Sequence, residues 1–370
     1  MWILQFDDDF YSVSRKIWNR FGLVLRSGVL EIDQEQDLSN IYHHLRADNT
    51  AVFDMTIKAA VAAIEILQNK YDSIVDDLLK FYHTEIVIVR QLNLEALKNT
   101  GDDNNFEGNK RFNRIALPLI IEKTCKFVPQ SSVQKLLDFF IITGSVDQSN
   151  QIAQKCLDAA DAIIHARGHD CAAKMLTILE RFIENAHEFK EESVHQAIVL
   201  IGTLSQYLDK NGQKKLIQTF EKMLQLLMRP IGKGASELVN VSICRCIPKI
   251  SRFFEDRTKQ IFNEQFNILR SGNVESELRG AAFACAGIVK GAGMKFFKER
   301  DIIGIVQKEC FAGKKTDALR LQSGLLLYET LSISMGKSFE PCSKDIIPNI
   351  MNCIADTREP VRKAANATNK

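Results

Sequence analysis

Apolar residues recur at i, i+3, i+4 and i+7 through nearly every long segment of the chain, and almost no stretch alternates as a half-buried strand would. This pattern predicts an all-α protein. Short polar turns punctuate it: NAHEFKEES, YLDKNGQKK, RPIGKGASE, LRSGNVESE, FAGKKTDA and ADTREP each separate two periodic runs. The helices between them are about three to five turns long with connections of a few residues, the arrangement of antiparallel helix pairs.

The pairs repeat. An apolar residue followed by a basic or polar one opens the second helix of each pair: Val194-His195, Val239-Asn240, Leu278-Arg279, Leu319-Arg320 and Val361-Arg362. Successive second members stand 45, 39, 41 and 42 residues apart. Small residues follow, as in RGAAFACAG and RKAANA, so each helix can approach its neighbours closely. Earlier echoes of the register are IAQKCLDAADAII at Ile152, NRIALPLII at Asn113 and MTIKAAVAAIEIL at Met55. A helical-hairpin period near 41 belongs to the HEAT class, and it predicts an α-solenoid in which each hairpin is covered by the next. The expected divisions are divergent HEAT-like repeats over 1–97, a polar loop insertion over 98–112, and HEAT repeats over 113–370 with the last one truncated.

Composition narrows the function classes. The chain has 370 residues, 45% of them hydrophobic, and 48 basic against 46 acidic side chains leave a net charge of +2. A polyanion contact would therefore be local. The nine cysteines are scattered among apolar residues rather than clustered at disulfide or zinc spacing, which predicts reduced core cysteines in a cytosolic or nuclear protein. MWILQFDDDF is too short an apolar run for a signal peptide, and no run reaches the roughly 20 residues of a membrane span.

Two glycine-bearing stretches raise a nucleotide-binding reading. SMGKSF, Ser334 to Phe339, ends as a phosphate-binding loop does, but such a loop needs a glycine five residues before Gly336, where Leu331 stands. Gly336 is instead expected to end a helix. In RGAAFACAGIVKGAG the glycines close a helix that begins near Glu275, whereas a dinucleotide fingerprint opens one after a strand. Gly287 is expected inside that helix at a close backbone approach, with Gly291 and Gly293 terminating it. Cys244 and Cys246 would point about 200° apart on a helix and cannot share a metal. His165 and His169 with Asp170 and Cys171 have zinc-like spacing, but Gly168 is expected to break the helix there into a solvated turn. No nucleophile–base arrangement stands out, so the sequence predicts neither catalysis nor a cofactor.

Charge is asymmetric in the C-terminal repeats. Turns leading from one hairpin to the next carry Lys210, Lys214, Lys215, Arg252, Arg257, Lys259, Lys290, Lys295, Lys298, Arg300, Lys337 and Lys344. Against these twelve cations stand seven acids, Asp209, Glu255, Asp256, Glu299, Asp301, Glu340 and Asp345, for a net +5. Turns inside the hairpins carry six bases and six acids. In a solenoid these sets lie on opposite rims, so one rim is predicted to be basic and able to follow a phosphate backbone or an acidic surface. No aromatic platform is evident beside it, which predicts recognition by shape and charge. Arg279, Arg320 and Arg362, with Asp317 and Asp356, are expected to form a polar ladder between repeats.

From Ile152 onward the chain resembles, in order and spacing, the central HEAT array of the general-control translational activator family. The resemblance rests on KCLDAADAII, GTLSQYLDK, ELRGAAFACAGIVKGAGM and MGKSFEPCSKDIIPNIMNCIADTREPVRKAA. It implies a cytoplasmic, ribosome-associated scaffold, touching ribosomal RNA and proteins, that works with an ATP-binding-cassette partner. It also implies support for activating the general-control kinase of initiation factor two alpha in amino-acid starvation, the kinase-docking region being absent from this stretch. A HEAT adaptor of transport-receptor or phosphatase-scaffold type, binding proteins only, is the alternative.

Overall fold

The computed structural model describes residues 41, 45, 50–99, 111–232, 235–312 and 317–368. Every regular element among them is helical, and the only β pairing in this set is an isolated bridge between Ile231 and Ala235. The chain divides into two compact units, Met1–Cys171 and Ala172–Lys370.

In the first unit, α1 (Thr50–Ile66) and α2 (Tyr71–Asn99) pack against α3 (Arg111–Thr124), and α4 (Gln130–Phe139) packs on α2. Helices thus enter both edges of the expected insertion at 98–112, of which 100–110 lie outside the described residues. Ile120, Ile121, Leu136, Leu137 and Phe140 are fully buried at the apolar spacing of their helices. A charged trio sits among them. The Tyr82 hydroxyl donates to Asp147 Oδ2 at 2.7 Å, and Arg114 Nη1 donates to the same oxygen at 3.0 Å. The Ser149 amide donates to Asp147 Oδ1 at 2.9 Å, shaping the turn that leads into α5 (Asn150–Glu184). The Arg114 and Asp147 side chains are 5% and 1% exposed.

The 35-residue α5 corrects the expected break at Gly168, because the helix runs through it without interruption. A single glycine costs a helix only about 1 kcal/mol, and Cys171, Met175, Leu176 and Leu179 continue a buried face beyond it. The stretch His165–Cys171 is therefore helix and not a turn.

The second unit continues with α6 (Glu191–Leu204), α7 (Lys210–Leu227), α8 (Glu237–Ser251), α9 (Glu255–Ser271), α10 (Glu275–Glu299), α11 (Ile302–Val306), α12 (Ala318–Met335), α13 (Ser343–Ile354) and α14 (Glu359–Thr368). Helices α6, α8, α10, α12 and α14 form one row, each packed on the next. Helix α7 backs α8 and α10, α9 backs α10, and α13 backs α14. The five pairs that marked the period, from Val194-His195 to Val361-Arg362, each fall at the start of one row helix.

Residue size explains why this row closes up. Ala281 through Val289 are all buried, so the middle of α10 has no solvent face, and its alanines and glycine keep it slender. A methyl at Gly280 would lie 2.5 Å from the Leu227 carbonyl oxygen, and one at Gly287 2.8 Å from that of Cys244. Gly291 belongs to the same set, since a methyl there would meet Ser251 Oγ at 2.6 Å. It packs rather than terminates, which corrects the sequence expectation. Gly293, with φ 83°, breaks α10 before its last residues, and Gly336, with φ 54°, ends α12 as expected.

Candidate functional site

The twelve rim cations divide by what they touch. Lys215 reaches Glu180 at 3.2 Å, Arg257 binds Glu221 at 2.9 Å and Glu264 at 3.3 Å, Lys259 binds Glu255 at 2.7 Å, and Lys295 meets Glu299 at 3.8 Å. Arg300 donates to Asn263 Oδ1 at 2.7 Å and lies over the Phe296 ring. The other seven, Lys210, Lys214, Arg252, Lys290, Lys298, Lys337 and Lys344, are exposed with no carboxylate partner among the described residues. Two rim acids have local tasks: Asp209 caps α7 through the Gly212 amide at 2.7 Å, and Asp301 caps α11 through that of Gly304 at 3.3 Å. Of the bases counted on the neutral edge, Lys233, Lys314 and Lys315 lie outside the described residues.

Reading turns alone missed two further cations. Arg245 and Lys249 are exposed on α8 and, with Arg252, form a row at i, i+4 and i+7. Helical spacing inside the helix was the available signal. At the end of this row lies a groove of about 510 Å³, to which the end of α8 and the turn after it bring Ser251 and Arg252, α9 brings Thr258 and Lys259, and α10 contributes Ile288, Gly291, Ala292, Lys295 and Phe296. Glu255 and Glu299 also line it, each bound to its own lysine.

The groove corrects the expectation that no aromatic residue accompanies the cations. Phe296 lines it, held edge-on against Phe262 at 5.1 Å between centroids, and the Arg252 guanidinium lies over the Phe253 ring at 4.8 Å. The residues next to Lys295 in sequence were plain to see. Only the packing of the helices places Phe296 in the same groove as Lys259.

The polar links between repeats also differ from the expected ladder. Arg279 pairs with Glu275 on its own helix, and Arg362 donates to the carbonyls of Asp356 and Thr357 in its own repeat. Asp356 is gripped by Arg358 at 2.7 Å, which holds its carboxyl well below the usual range. The ion pairs from repeat to repeat run along the backing helices, Glu180 with Lys215 and Lys222, Glu221 with Arg257 and Arg270 with Glu309, while the front row is joined by neutral contacts such as His195 Nδ1 with Ser242 Oγ and Thr330 with the Ala282 carbonyl.

Glu180 is the most buried acid in these links, with a side chain 7% exposed. Burial pushes its carboxyl up, but hydrogen bonds from Lys222 and Lys215 outweigh that and leave it below its ordinary value. A lowered carboxylate stabilises the fold above the unfolded pKa and loses that contribution as pH falls through the folded one. Glu180→Gln is expected to cost about 1 kcal/mol at pH 7. In urea titrations run across pH, the difference from the parent protein should start to shrink below the ordinary glutamate value of about 4.3 and vanish only below the lowered folded one.

No group of three metal-ligating side chains occurs among the described residues, and His165 pairs with Asp161 at 3.2 Å. Cys244 contacts Ser334 Oγ at 3.1 Å, and burial pushes the Cys246 thiol up to about 12, far from a reactive thiolate.

Residues 1–206 match the family described as stalled ribosome sensor GCN1, HEAT repeats, and residues 278–370 match the EF3 N-terminal HEAT repeat. The stalled ribosome sensor GCN1 of Homo sapiens is 25% identical over 372 residues, covering 99% of this chain and 13% of that protein. The eIF-2-alpha kinase activator GCN1 of Saccharomyces cerevisiae is 26% identical over 317 residues, 84% of this chain and 11% of its own. That of Dictyostelium discoideum is 27% identical over 243 residues, 64% of this chain and 9% of its own. The chain spans only about a tenth of the length of these relatives.

Proposed function

This chain belongs to the HEAT-repeat family of the stalled ribosome sensor GCN1, and on that premise we propose that it is a non-catalytic scaffold segment that holds ribosomal RNA along its basic rim. The observation that carries this reading is the set of seven exposed rim cations without carboxylate partners. Unpaired cations keep their charge available for phosphates, whereas Arg257 and Lys215 are already neutralised by carboxylates of adjoining helices. The proposal places the protein in the cytoplasm. It gives the chain a supporting part in activating the kinase of initiation factor two alpha, alongside an ATP-binding-cassette partner. It also retains the sequence-based division at 98–112.

Sedimentation with ribosomes across a salt series tests it. Reversing Lys290, Lys298, Lys337 and Lys344 to glutamate is expected to weaken binding at least about tenfold and flatten its salt dependence, each lost phosphate contact lowering the slope by about 0.7–0.9. The same number of reversals at exposed Lys58, Lys70, Lys80 and Lys123 of the first unit should leave binding unchanged. Equal losses from both sets, or binding indifferent to salt, would sink the rim as the contact.

A further inference from the structure

We propose that the groove where α8, α9 and α10 meet takes one unpaired nucleotide of RNA, with the base inserted against Phe296 and the flanking phosphates held outside by Arg252 and Lys295. This rests on the rim's contact with ribosomal RNA and adds what the contact would recognise.

Four observations support it. The groove, at about 510 Å³, has the dimensions of a small-molecule site rather than of a shallow charged surface. Its α10 wall carries only a methyl at the exposed Ala292, so little bulk stands there between Ile288 and Phe296. Phe296 lines the groove in a T-shaped pair with Phe262 and with Arg300 over one face of its ring, an aromatic residue of the kind on which unpaired bases stack. Finally, both signs of charge are present in an order that suits a nucleotide. Lys295 is 87% exposed and Arg252 has no carboxylate partner, so both can meet phosphate, while Glu255 and Glu299 can accept hydrogen bonds from base amino groups.

The same arrangement disfavours the two simpler occupants. A duplex keeps its bases stacked within the helix and has none free to enter the groove. An acidic peptide would bring its carboxylates up to Glu255 and Glu299 and would leave the aromatic wall without a partner.

Fluorescence anisotropy with the whole chain tests the assignment, using a labelled single-stranded RNA hexamer, a duplex with the same number of phosphates, and hexaglutamate. The hexamer is expected to bind at least about tenfold more tightly than the duplex. Ala292→Leu fills the groove from an exposed position, and Phe296→Leu keeps apolar bulk against Phe262 while removing the aromatic face. Both are expected to abolish the preference for the single strand while leaving duplex binding and the thermal midpoint unchanged. Equal affinity for hexamer and duplex, an undiminished preference in both variants, or hexaglutamate binding as tightly as the hexamer would overturn the proposal. If reversal of Lys290, Lys298, Lys337 and Lys344 releases ribosomes while the groove variants behave as the parent, the groove assignment fails and the rim stands. If the parent chain binds no RNA, both fail.

Discussion

Replacing Asp147 with alanine is expected to destabilise the first unit by about 3–5 kcal/mol, the cost of breaking a buried ion pair by removing one partner. Asp147 accepts from Tyr82, Arg114 and the Ser149 amide at once, and Arg114 has no solvent to fall back on. Its loss would strand a guanidinium whose Nε already lacks a hydrogen-bond partner. The comparison with Tyr82→Phe isolates the charge, since that change removes one hydrogen bond at about 1 kcal/mol. Burial first, and then the negative charge of Asp147, push the Tyr82 hydroxyl far above its ordinary value, so it remains a donor throughout the accessible pH range. Amide hydrogen exchange in α2 and α3 reads the effect within the unit. If Asp147→Ala costs no more than Tyr82→Phe, the trio does not anchor these helices. The paired change Arg114→Met with Asp147→Leu should recover most of the loss, because similar-sized apolar residues tolerate such sites better than a lone charge.

Gly287→Leu is expected to be comparably harmful in the second unit, at about 3 kcal/mol. Even alanine should destabilise here, reversing the sign expected for Gly→Ala in an unconstrained helix, where it gains about 0.5–1 kcal/mol. The reason is the Cys244 carbonyl oxygen 2.8 Å from the added methyl, with Ile247 Cβ at 3.0 Å. Neither is the free end of a flexible side chain, so α8 and α10 must separate. Urea midpoints of Gly287→Ala and Gly287→Leu measure this, and a rise in the midpoint for alanine would show that the contact has slack.

Fold class was legible because the physical demand behind it is local. Each hairpin bears apolar residues on more than one face, and the recurring pair from Val194-His195 to Val361-Arg362 locates the row helices without any long-range information. Gly336 was similarly readable as a helix end, since the missing glycine at Leu331 excludes a phosphate loop. The errors came where a local preference competed with packing. Gly168 favours a break, yet the buried face beyond it keeps α5 whole. Gly291 reads as a terminator beside Gly293, but the approach of Ser251 gives it a packing task instead.

Sequence alone determined that this chain is a HEAT array with surplus positive charge in one set of turns, because periodicity and composition along the chain suffice for both. Which of those charges remain available was decided by tertiary structure. Lys215 and Arg257 are matched by carboxylates 35 and 36 residues earlier, while Lys290 and Lys298 are matched by none among the described residues. The groove has the same origin: residues from α8, α9 and α10 that are distant in sequence meet in its walls only because those helices pack together.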